Sequence, residues 1–449
     1  MDFLTVQNIV EATSGTYHGP ESLLEKEIRG AEMDSRLIEK DFLFIPLKGE
    51  RVDAHTFIPQ VFEAGALITL SDRDLEGVPY IRVKDTEKAL RDLATWYRKT
   101  LDIPVIGITG SVGKTSTKEV IASVLSEKYD VLKTAGNYNN AIGLPLTILK
   151  IRRHHTAAVL EMGISDFGEM DVLTRMAQPT IGVMTNIGVS HMENLKTQAG
   201  ILKEKSALFH RMTPDGLAIL NGDDPLLKDF TDLPCRRVLY GTKSAFPYRA
   251  QNTVSLNLSG TKADFVLPNG TFSVTVPVPG EHMVLNALSA AATGDALGLS
   301  SDAIKRGIEK LQPVSGRSHL IKTDTFTLID DCYNANPVST KAALKTLSGA
   351  SGRKVAILGD MFELGEKEAD LHFETGAFAG TLNIDLLIGI GALSLSTVEG
   401  AKKAGTPAQH FASIDDFLNA KDDVLHDQDT ILIKASNSMH FHRIVEALS

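Results

Sequence analysis

The sequence predicts an α/β protein built from three domains. Its 449 residues suffice for about three domains of roughly 150 residues each. Apolar runs of strand length alternate with amphipathic stretches of helix length along most of the chain, a pattern typical of parallel sheets covered by helices. Hydrophobic residues make up 43% of the chain and charged residues 23%, so each domain has enough apolar side chains to bury a core.

The first domain is predicted to span residues 1–98 and to be a small α/β unit. Two short apolar runs, "DFLFIPL" and "GALITLS", predict strands, and "EKALRDLATWYRKT" predicts a helix at the end of the domain. The N-terminal stretch "MDFLTVQNIVEATSG" contains acidic residues and no long apolar core, so we expect no signal peptide.

The second domain, predicted to span residues 99–313, opens with a glycine-rich turn between a strand and a helix. The stretch is "GITGSVGKTSTKEV", residues 107–120. A common phosphate loop has four residues between its first glycine and Gly-Lys-Thr. Here five residues separate Gly107 from Gly113, and only two separate Gly110 from it. The buried strand before the turn and the amphipathic helix after it nevertheless favour a phosphate-binding loop.

The residue types of this loop suit a bound nucleotide. Backbone N–H groups at a helix N-terminus attract phosphate. Lys114 would neutralise the β- and γ-phosphates, and the Thr115 hydroxyl would ligate Mg²⁺. The alternative is a tight turn with an exposed lysine. The residues predicted to bind nucleotide are Thr109, Gly110, Ser111, Val112, Gly113, Lys114, Thr115 and Ser116.

Several apolar runs downstream end at polar residues. Glu161 ends one run, Asn186 and His191 end the next, and Asn221 ends a third. Because ligands of open parallel sheets bind beyond the carboxyl ends of the strands, we expect these side chains near the phosphate loop. Taken singly, Glu161 would ligate a metal or cap a helix. A lone histidine is more often structural, and a lysine such as Lys205 is more often solvated.

An antiparallel extension is predicted beside the parallel sheet. The stretches "TVSLNLSG" (253–260) and "TFSVTVPV" (271–278) alternate at period two around "LPNGT", as hairpin strands do.

The third domain is predicted to span residues 314–449, because "LQPVSGRSH" supplies the proline, glycine and serine of a boundary. Alternation of strands and helices is typical of a doubly wound, Rossmann-like sheet. Its predicted strands are "FTLIDD", "KVAILGD", "DLLIGIG" and "TILIKAS".

Composition argues against several classes of protein. The net charge of −10 disfavours binding to nucleic acid or to an anionic membrane. Cys235 and Cys332 lack the spacing of a metal site and suit a reducing cytoplasm. No run approaches the roughly 20 apolar residues of a membrane helix, so we expect a cytoplasmic protein. The pairs His154–His155 and His440–His442 are interpreted as surface residues.

The order of these motifs resembles the Mur ligase superfamily. "TGSVGKTSTKE" is similar to the superfamily's shortened phosphate loop, which accounts for the unusual spacing. The resemblance covers nearly the whole chain, and the combination is more specific than any one motif. The other matching stretches are "GNYNNAIGLP" (136–145), "EMGISDFGEM" (161–170), "TNIGVSHMENL" (185–195), "GEHMVLNALSAAA" (280–292), "SGRSH" around Arg317 and "DDCYNANP" (330–337).

Two further stretches resemble the member that extends a UDP-N-acetylmuramoyl-tripeptide with D-alanyl-D-alanine. These are "YNANP" and "LGDMFELGE" (358–366). "DSR" (34–36) and "FIPLKGERVDAHTFI" (44–58) resemble its nucleotide-sugar-binding motif. The sequence departs from the pattern at Ala54, usually glycine, and at Asn437, usually arginine. The alternatives are another ligase of the superfamily and a P-loop switch that regulates a partner.

The resemblance implies an ATP-dependent ligase that forms an amide bond through an acyl phosphate. It implies two Mg²⁺ ions and a CO₂-derived carbamate on Lys205. The implied substrates are small molecules, UDP-N-acetylmuramoyl-tripeptide and D-alanyl-D-alanine. We expect a monomer without nucleic-acid partners or membrane insertion.

Roles of single residues also follow from the resemblance. The implied catalytic residues are Lys114, Glu161, His191 and Lys205, and the implied metal ligands are Thr115, Glu161, His191 and Lys205. Asn286 would face the adenine, Arg317 the γ-phosphate and Asp331 the ribose. The implied substrate residues are Ser35, Arg36 and Lys48 in the first domain, Asn137, Asn140 and Ser165 along the sugar-peptide path, and Asn334, Asn336 and Asp360 around D-alanyl-D-alanine.

Overall fold

The computed structural model describes residues 4–449 and contains three β-sheets that follow one another along the chain. Helices cover all three, which confirms the predicted α/β class. The expected boundaries near residues 98 and 313 fall between the sheets, and the exact division into domains stays a prediction. Every helix within residues 4–449 is too short or too polar to cross a bilayer.

The first sheet has five strands in the order β1-β5-β4-β3-β2, with β1 antiparallel to β5 and the others parallel. The Arg98 guanidinium, on the last helix of this unit, donates to the carbonyls of Ala177 and Gln178 at 2.9 and 3.1 Å and so ties the unit to the next. The strands are β1 (Thr16–His18), β2 (Gly30–Glu32), β3 (Phe42–Phe44), β4 (Ile68–Ser71) and β5 (Tyr80–Arg82), and the helices are α1 (Val6–Thr13), α2 (Ile58–Glu63) and α3 (Thr86–Lys99).

The second sheet has nine strands in the order β14-β13-β12-β11-β10-β9-β6-β8-β7. The strands are β6 (Val105–Thr109), β7 (Val131–Lys133), β8 (Ala157–Glu161), β9 (Ile181–Met184), β10 (Leu217–Asn221), β11 (Arg236–Gly241), β12 (Tyr248–Ser255), β13 (Thr261–Leu267) and β14 (Gly270–Val276). The helices are α4 (Lys114–Leu125), α5 (Gly143–Ile148), α6 (Glu169–Ala177), α7 (Met192–Leu195), α8 (Gln198–Ser206), α9 (Glu281–Ala296) and α10 (Ser301–Glu309).

Strand β6 lies between β8 and β9 and is parallel to both. All five of its residues are buried, as expected for an apolar run covered on both faces. The carboxyl ends of these three strands therefore meet at one edge. This arrangement brings the glycine-rich turn, Glu161 and Asn186 together, as their positions at the ends of strands predicted.

The antiparallel extension is present, but the predicted hairpin strands were partly wrong. The hairpin pairs β13 with β14, from Thr261 opposite Val276 to Leu267 opposite Gly270. Residues 253–260 instead complete β12 and a short 3₁₀ turn. Alternation at period two also occurs in β12, which is antiparallel to β13, so the pattern alone did not identify which two strands share the turn.

The third sheet has six strands in the order β15-β16-β20-β17-β18-β19, all parallel except β15. The four predicted strands are confirmed, and the edge strands β15 and β19 are additional. The strands are β15 (His319–Lys322), β16 (Thr327–Asp330), β17 (Lys354–Gly359), β18 (Leu386–Ile390), β19 (Ala408–Phe411) and β20 (Thr430–Lys434), and the helices are α11 (Pro337–Ser348), α12 (Glu368–Ala379), α13 (Ser394–Lys403), α14 (Ile414–Val424) and α15 (His442–Leu448).

Candidate active site

A cavity of about 300 Å³ lies between the second and third sheets. We call each sheet with its helices a unit. The second and third units both contribute residues to the cavity, so its shape depends on how these two units dock. The predicted residues that line it are Ser111, Val112, Gly113, Lys114, Thr115, Ser116, Glu161, Asn286, Arg317, Asp331, Asn334 and Asn336. Asn186, expected near the loop from its position after a strand, lines it as well. The lining residues that were not predicted are Asn139, His282, Ser318, Tyr333, Val338, Ser339, Ala342, Ala343 and Lys434.

The glycines of the loop are required by its backbone. Gly110 has φ 147°, and a Cβ there would lie 2.0 Å from the hydroxyl oxygen of Thr185. Gly113 has φ 86° and caps the N-terminus of α4. A side chain at either position would force the loop to shift, because L-residues avoid these conformations. Thr109, at the end of β6, is fully buried beneath the loop and does not line the cavity.

Asn186 holds the loop in place from the end of β9. Its side-chain oxygen accepts the Val112 N–H at 3.0 Å, and its side-chain nitrogen donates to the Val112 carbonyl at 2.9 Å. Its backbone carbonyl accepts the Ser111 N–H at 3.0 Å. The polar residue at the end of this strand thus positions the phosphate loop. Asn221, also expected nearby, is buried and donates to the Thr185 carbonyl at 2.9 Å.

Lys114 lies at the first position of α4 with its amine turned back over the loop. Its Nζ donates to the Gly110 carbonyl at 2.9 Å. Burial lowers the Lys114 pKa, the nearby Glu161 carboxylate raises it, and the Arg317 cation lowers it. An ammonium enclosed in this way gains strongly from an anionic ligand.

Glu161 is 3% exposed at the end of β8. Its Oε1 accepts a hydrogen bond from Asn139 Nδ2 at 2.8 Å, so it does not act as the helix cap that the sequence left open. Its Oε2 is buried and has no hydrogen-bond partner among residues 4–449. A buried carboxylate oxygen without a partner is costly unless a cation binds it, and the residue fits a metal site.

Lys205 is fully buried on α8, contrary to the solvated lysine that is usual on a helix. Its Nζ has no hydrogen-bond partner within the described part of the chain. Burial, with a further contribution from the Lys114 charge, holds the pKa of Lys205 well below its usual range. Burial therefore favours the neutral form of this amine, which is the form that acts as a nucleophile.

His191 is not among the residues that line the cavity, although the family resemblance implied that it ligates a metal. It precedes α7 with φ 61°. Its Nδ1 lies 2.9 Å from Oε2 of Glu363, which belongs to the third unit. Nothing in the stretch "LGDMFELGE" distinguishes Glu363 from its acidic neighbours.

Arg317 joins the third unit to the phosphate loop. One of its terminal nitrogens donates to the Thr115 hydroxyl at 3.2 Å, and its guanidinium lies 4.0 Å from the ring centre of Tyr333. Asn286, buried on α9, also lies against the phosphate loop. Its side-chain oxygen is 3.3 Å from the position that a Cβ on Gly113 would occupy. The expected adenine and phosphate residues therefore share one cavity.

Asp331 is fixed by its neighbours at the end of β16. Its carboxylate accepts from Lys434 Nζ at 2.6 Å and from the Ser318 N–H at 3.0 Å. Lys434 also donates to the Asn334 carbonyl at 2.8 Å. Asn437, in place of the superfamily's arginine, donates to the Tyr333 carbonyl at 3.0 Å. The departure at residue 437 thus serves the loop that carries Asp331.

The three residues expected around D-alanyl-D-alanine differ in their surroundings. Asn336 caps α11 and donates to the Ser190 hydroxyl at 3.1 Å across the two units, while Asn334 lines the cavity. Asp360 is 5% exposed, accepts the Ser394 N–H at 2.8 Å and lies outside the cavity lining. Its carboxylate is already used at the start of α13.

The residues expected on the sugar-peptide path lie outside this cavity. Asn137 and Ser165 are exposed, and Asn140 accepts the Gly143 N–H at 2.8 Å at the start of α5. Their neighbour Asn139 is the asparagine of this stretch that lines the cavity and contacts Glu161. The only sequence signal for Asn139 was its position next to the predicted residue Asn140.

The first-domain candidates are far from the phosphate loop in sequence and lie around the first sheet. Ser35 begins a 3₁₀ turn, and Arg36 forms a two-point contact with Asp34. Lys48 pairs with Asp72. None of the three predicted residues lines the 300 Å³ cavity.

The histidines and cysteines for which no metal site was expected differ slightly from that expectation. His154 and His155 do have an acidic neighbour, since Asp130 brings possible ligand atoms of all three within 4.8 Å. However, Nδ1 of His155 already accepts the Arg152 N–H at 2.9 Å. Cys235 and Cys332 are free thiols, as expected from their separation.

The fold and the cavity define an α/β nucleotide-binding protein whose site is completed by a second α/β unit. Comparison with known families supports the same class: residues 108–294 match the Mur ligase middle domain, and residues 316–437 match the Mur ligase, glutamate ligase domain. The chain belongs to the Mur ligase family, in the branch of the UDP-N-acetylmuramoyl-tripeptide--D-alanyl-D-alanine ligases.

Three relatives illustrate this membership. The ligase of that name from Bacillus subtilis (strain 168) is 40% identical over 453 residues, which cover 99% of this chain and 98% of the relative. A crystal structure of MurF from Acinetobacter baumannii has a TM-score of 0.91 at 31% identity, covering 99% and 98% of the two chains. MurF ligase from Thermotoga maritima in complex with ADP has a TM-score of 0.83 at 26% identity, covering 93% and 96%.

Proposed function

We propose that this protein uses ATP to join D-alanyl-D-alanine to UDP-N-acetylmuramoyl-tripeptide. The products are UDP-N-acetylmuramoyl-pentapeptide, ADP and phosphate, and the reaction belongs to peptidoglycan precursor synthesis. One observation carries the proposal: the phosphate loop, Glu161 and Arg317 converge on a single cavity between two units. The names of the relatives support the choice of substrates.

In the first step, a carboxylate oxygen of the tripeptide attacks the γ-phosphorus of ATP. The bond between that phosphorus and the β–γ bridging oxygen breaks, and ADP leaves with its electron pair. Two anions must approach each other, so the site needs positive charge and positioning more than a nucleophilic side chain. Lys114 and Arg317 supply two cations that face the same cavity.

The residues present fit a bound Mg²⁺. The unpartnered Oε2 of Glu161 and the Thr115 hydroxyl supply the oxygen ligands that this ion prefers. We expect Thr115 and Glu161 to hold one ion and Glu161, His191 and Lys205 to support a second. When bound, Mg²⁺ would reduce the charge repulsion between phosphate and carboxylate.

The environment of Lys205 supports its modification by CO₂. A neutral amine attacks the carbon of CO₂, a C–N bond forms, one C=O electron pair moves to oxygen, and the nitrogen loses a proton to solvent. The product is a carbamate anion. Its two oxygens, attached to the buried and unpartnered Nζ of Lys205, would carry a negative charge suited to a cation.

In the second step, the free amine of D-alanyl-D-alanine attacks the acyl carbon. A C–N bond forms, the bond from the acyl carbon to the phosphate oxygen breaks with its electron pair going to that oxygen, and the proton lost by the amine leaves with the phosphate as hydrogen phosphate. Asn334 and Asn336, from the loop before α11, are the residues we place nearest this substrate. Asp360, whose carboxylate accepts the Ser394 N–H, is the third residue that we assign to this substrate.

The remaining assignments concern the residues that contact the substrates, the oligomeric state and the cellular location. We propose that Ser35, Arg36 and Lys48 contact the UDP-sugar and that Asn137, Asn140 and Ser165 guide the peptide toward the cavity. The net charge of −10 supports small-molecule substrates over nucleic acid. We further propose a monomer that works in the cytoplasm.

The decisive experiment measures phosphate release from ATP by the purified protein with UDP-N-acetylmuramoyl-tripeptide, with and without D-alanyl-D-alanine. Two tripeptides, with L-lysine or diaminopimelate as third residue, should be compared. Dipeptide-dependent release with a pentapeptide product by mass spectrometry is expected. Turnover with a single amino acid would assign the chain to another ligase branch, and nucleotide binding without turnover would favour a P-loop switch.

A further inference from the structure

One contact between the second and third units involves His191, which we propose as a metal ligand. Nδ1 of His191, in the loop after β9, is 2.9 Å from Oε2 of Glu363, in the loop after β17. Asn336 and Ser190 form a second contact in the same region, so the pair belongs to a docked surface.

Both residues have an uncommon backbone conformation. His191 has φ 61° and Glu363 has φ 63°, and residues other than glycine adopt this left-handed region rarely. Such conformations persist where the surrounding structure holds them, and they concentrate at functional sites. Here they occur in two loops, from different units, whose side chains meet.

The chemistry of the contact suits a metal-binding histidine. A histidine that ligates a metal through one ring nitrogen usually donates its other N–H to a carboxylate, which fixes the tautomer and the ring orientation. With Nδ1 donating to Glu363 at 2.9 Å, Nε2 is the ring nitrogen that remains available to a metal. Its side chain is 61% exposed, so the carboxylate is not needed to fill a core.

A comparison within the same loop separates Glu363 from its neighbour. Asp360 is buried and accepts the Ser394 N–H at 2.8 Å, so its carboxylate serves the third unit itself. Glu363 instead extends to a residue of the second unit. Of Asp360 and Glu363, only Glu363 contacts the second unit and can influence the metal site proposed there.

We propose that Glu363 is a positioning residue for His191, so that docking of the third unit completes the metal site of the second. The inference rests on the proposed function in one respect, the assignment of His191 as a metal ligand. It predicts that a carboxylate on one unit tunes metal affinity on the other, and that opening of the two units weakens the metal site.

The test measures binding of Mn²⁺, with ADP present, by electron paramagnetic resonance of the free ion. Glu363→Gln retains the size of the side chain and removes its charge, and it should weaken the His191-dependent class of Mn²⁺ sites about tenfold. Asp370→Asn removes one negative charge from the exposed first turn of α12 and should leave binding unchanged. Circular dichroism should show that both variants are folded.

A double-mutant comparison makes the result specific. In a His191→Ala background, Glu363→Gln should have no further effect on Mn²⁺ affinity, because its effect acts through the imidazole. An unchanged affinity in Glu363→Gln, or an equal loss in both backgrounds, would overturn the inference. If His191→Ala itself leaves Mn²⁺ binding unchanged, the inference also fails, whereas dipeptide-dependent turnover by the wild type would still support the proposed function.

Discussion

The guanidinium of Arg317 donates a hydrogen bond to the Thr115 hydroxyl at 3.2 Å, from the third unit to the phosphate loop of the second. The contact places a cation against the hydroxyl proposed to bind Mg²⁺. The Nε of Arg317 is buried and has no hydrogen-bond partner within residues 4–449. The guanidinium carbon lies 4.0 Å from the centre of the Tyr333 ring, which supports it. Arg317 is therefore held in position while part of its donor capacity is unused.

Replacing Arg317 by lysine should impair turnover and leave the fold intact. Lysine retains one positive charge but lacks the planar set of donors and stacks poorly on an aromatic ring. We expect kcat to fall about 100-fold, as for the loss of a donor that stabilises transition-state charge. Steady-state ADP formation would measure this. Arg306→Lys, at an exposed position on α10, is the control, and an equal loss in both variants would contradict the role of Arg317.

Replacing Gly110 by alanine should disrupt the phosphate loop specifically. A Cβ there would lie 2.0 Å from the Thr185 hydroxyl oxygen, so the loop or β9 must move. We expect ADP to bind at least about tenfold more weakly, which corresponds to about 1.4 kcal/mol. Isothermal titration calorimetry with ADP would measure the change.

Gly77→Ala provides the matched control for this change. Gly77 also has positive φ, 76°, but a Cβ there would have nothing within 4 Å. It should cost about 1 kcal/mol of stability for the backbone alone and leave ADP affinity unchanged. A similar loss of ADP affinity in both variants would show that the collision with Thr185 is not the cause.

Much of the nucleotide site could be predicted from the sequence because it depends on local patterns. A buried strand, a glycine turn and an amphipathic helix are each visible within a few residues, and they place Lys114 and Thr115 at a helix start. Parallel strands also have their carboxyl ends at one edge, which brings Glu161 and Asn186 to the loop. These relations need only the order of the elements.

Other features depend on contacts between distant segments and were not visible. The charged stretch around Lys205 favours a solvated helix face, yet Glu204 is used to cap α6 through the N–H groups of Gly168 and Met170, and Lys205 is buried beside it. The choice of Asn139 over its neighbouring asparagines depends on how the loop turns. The choice of Glu363 over Asp360 depends on docking between two units.

Two buried lysines should respond differently to CO₂. Lys205 is fully buried without a partner, whereas Lys118, 2% exposed, donates to the Thr134 carbonyl at 2.7 Å. Because burial lowers the Lys205 pKa well below its usual range, it favours the neutral amine, which is the form that reacts with CO₂. Carbon-13 NMR in labelled bicarbonate should show one carbamate signal, which Lys205→Met removes.

Lys118→Met is the control for this experiment. It should retain the carbamate signal, because the hydrogen-bonded Lys118 amine is not available as a nucleophile. Turnover should be lost in Lys205→Met. Loss of the signal in Lys118→Met alone, with retention in Lys205→Met, would contradict the assignment of the modified lysine.

A pH-dependent contribution to stability should come from Glu127, at the end of α4. Its carboxylate accepts from Lys310 at 2.6 Å and from Arg306 at 2.8 Å, and these bonds lower its pKa below the ordinary value of 4.5. A lowered carboxyl pKa stabilises the folded state above pH 4.5, and this stabilisation is lost as the pH falls through the folded-state pKa. Because both cations are largely exposed, we expect Glu127→Gln to cost at most about 1 kcal/mol at pH 7 and almost nothing near the acid end of the transition. Thermal unfolding of both proteins from pH 7 downward would measure the difference in midpoint, and a difference that stays constant over that range would contradict the ion-pair origin.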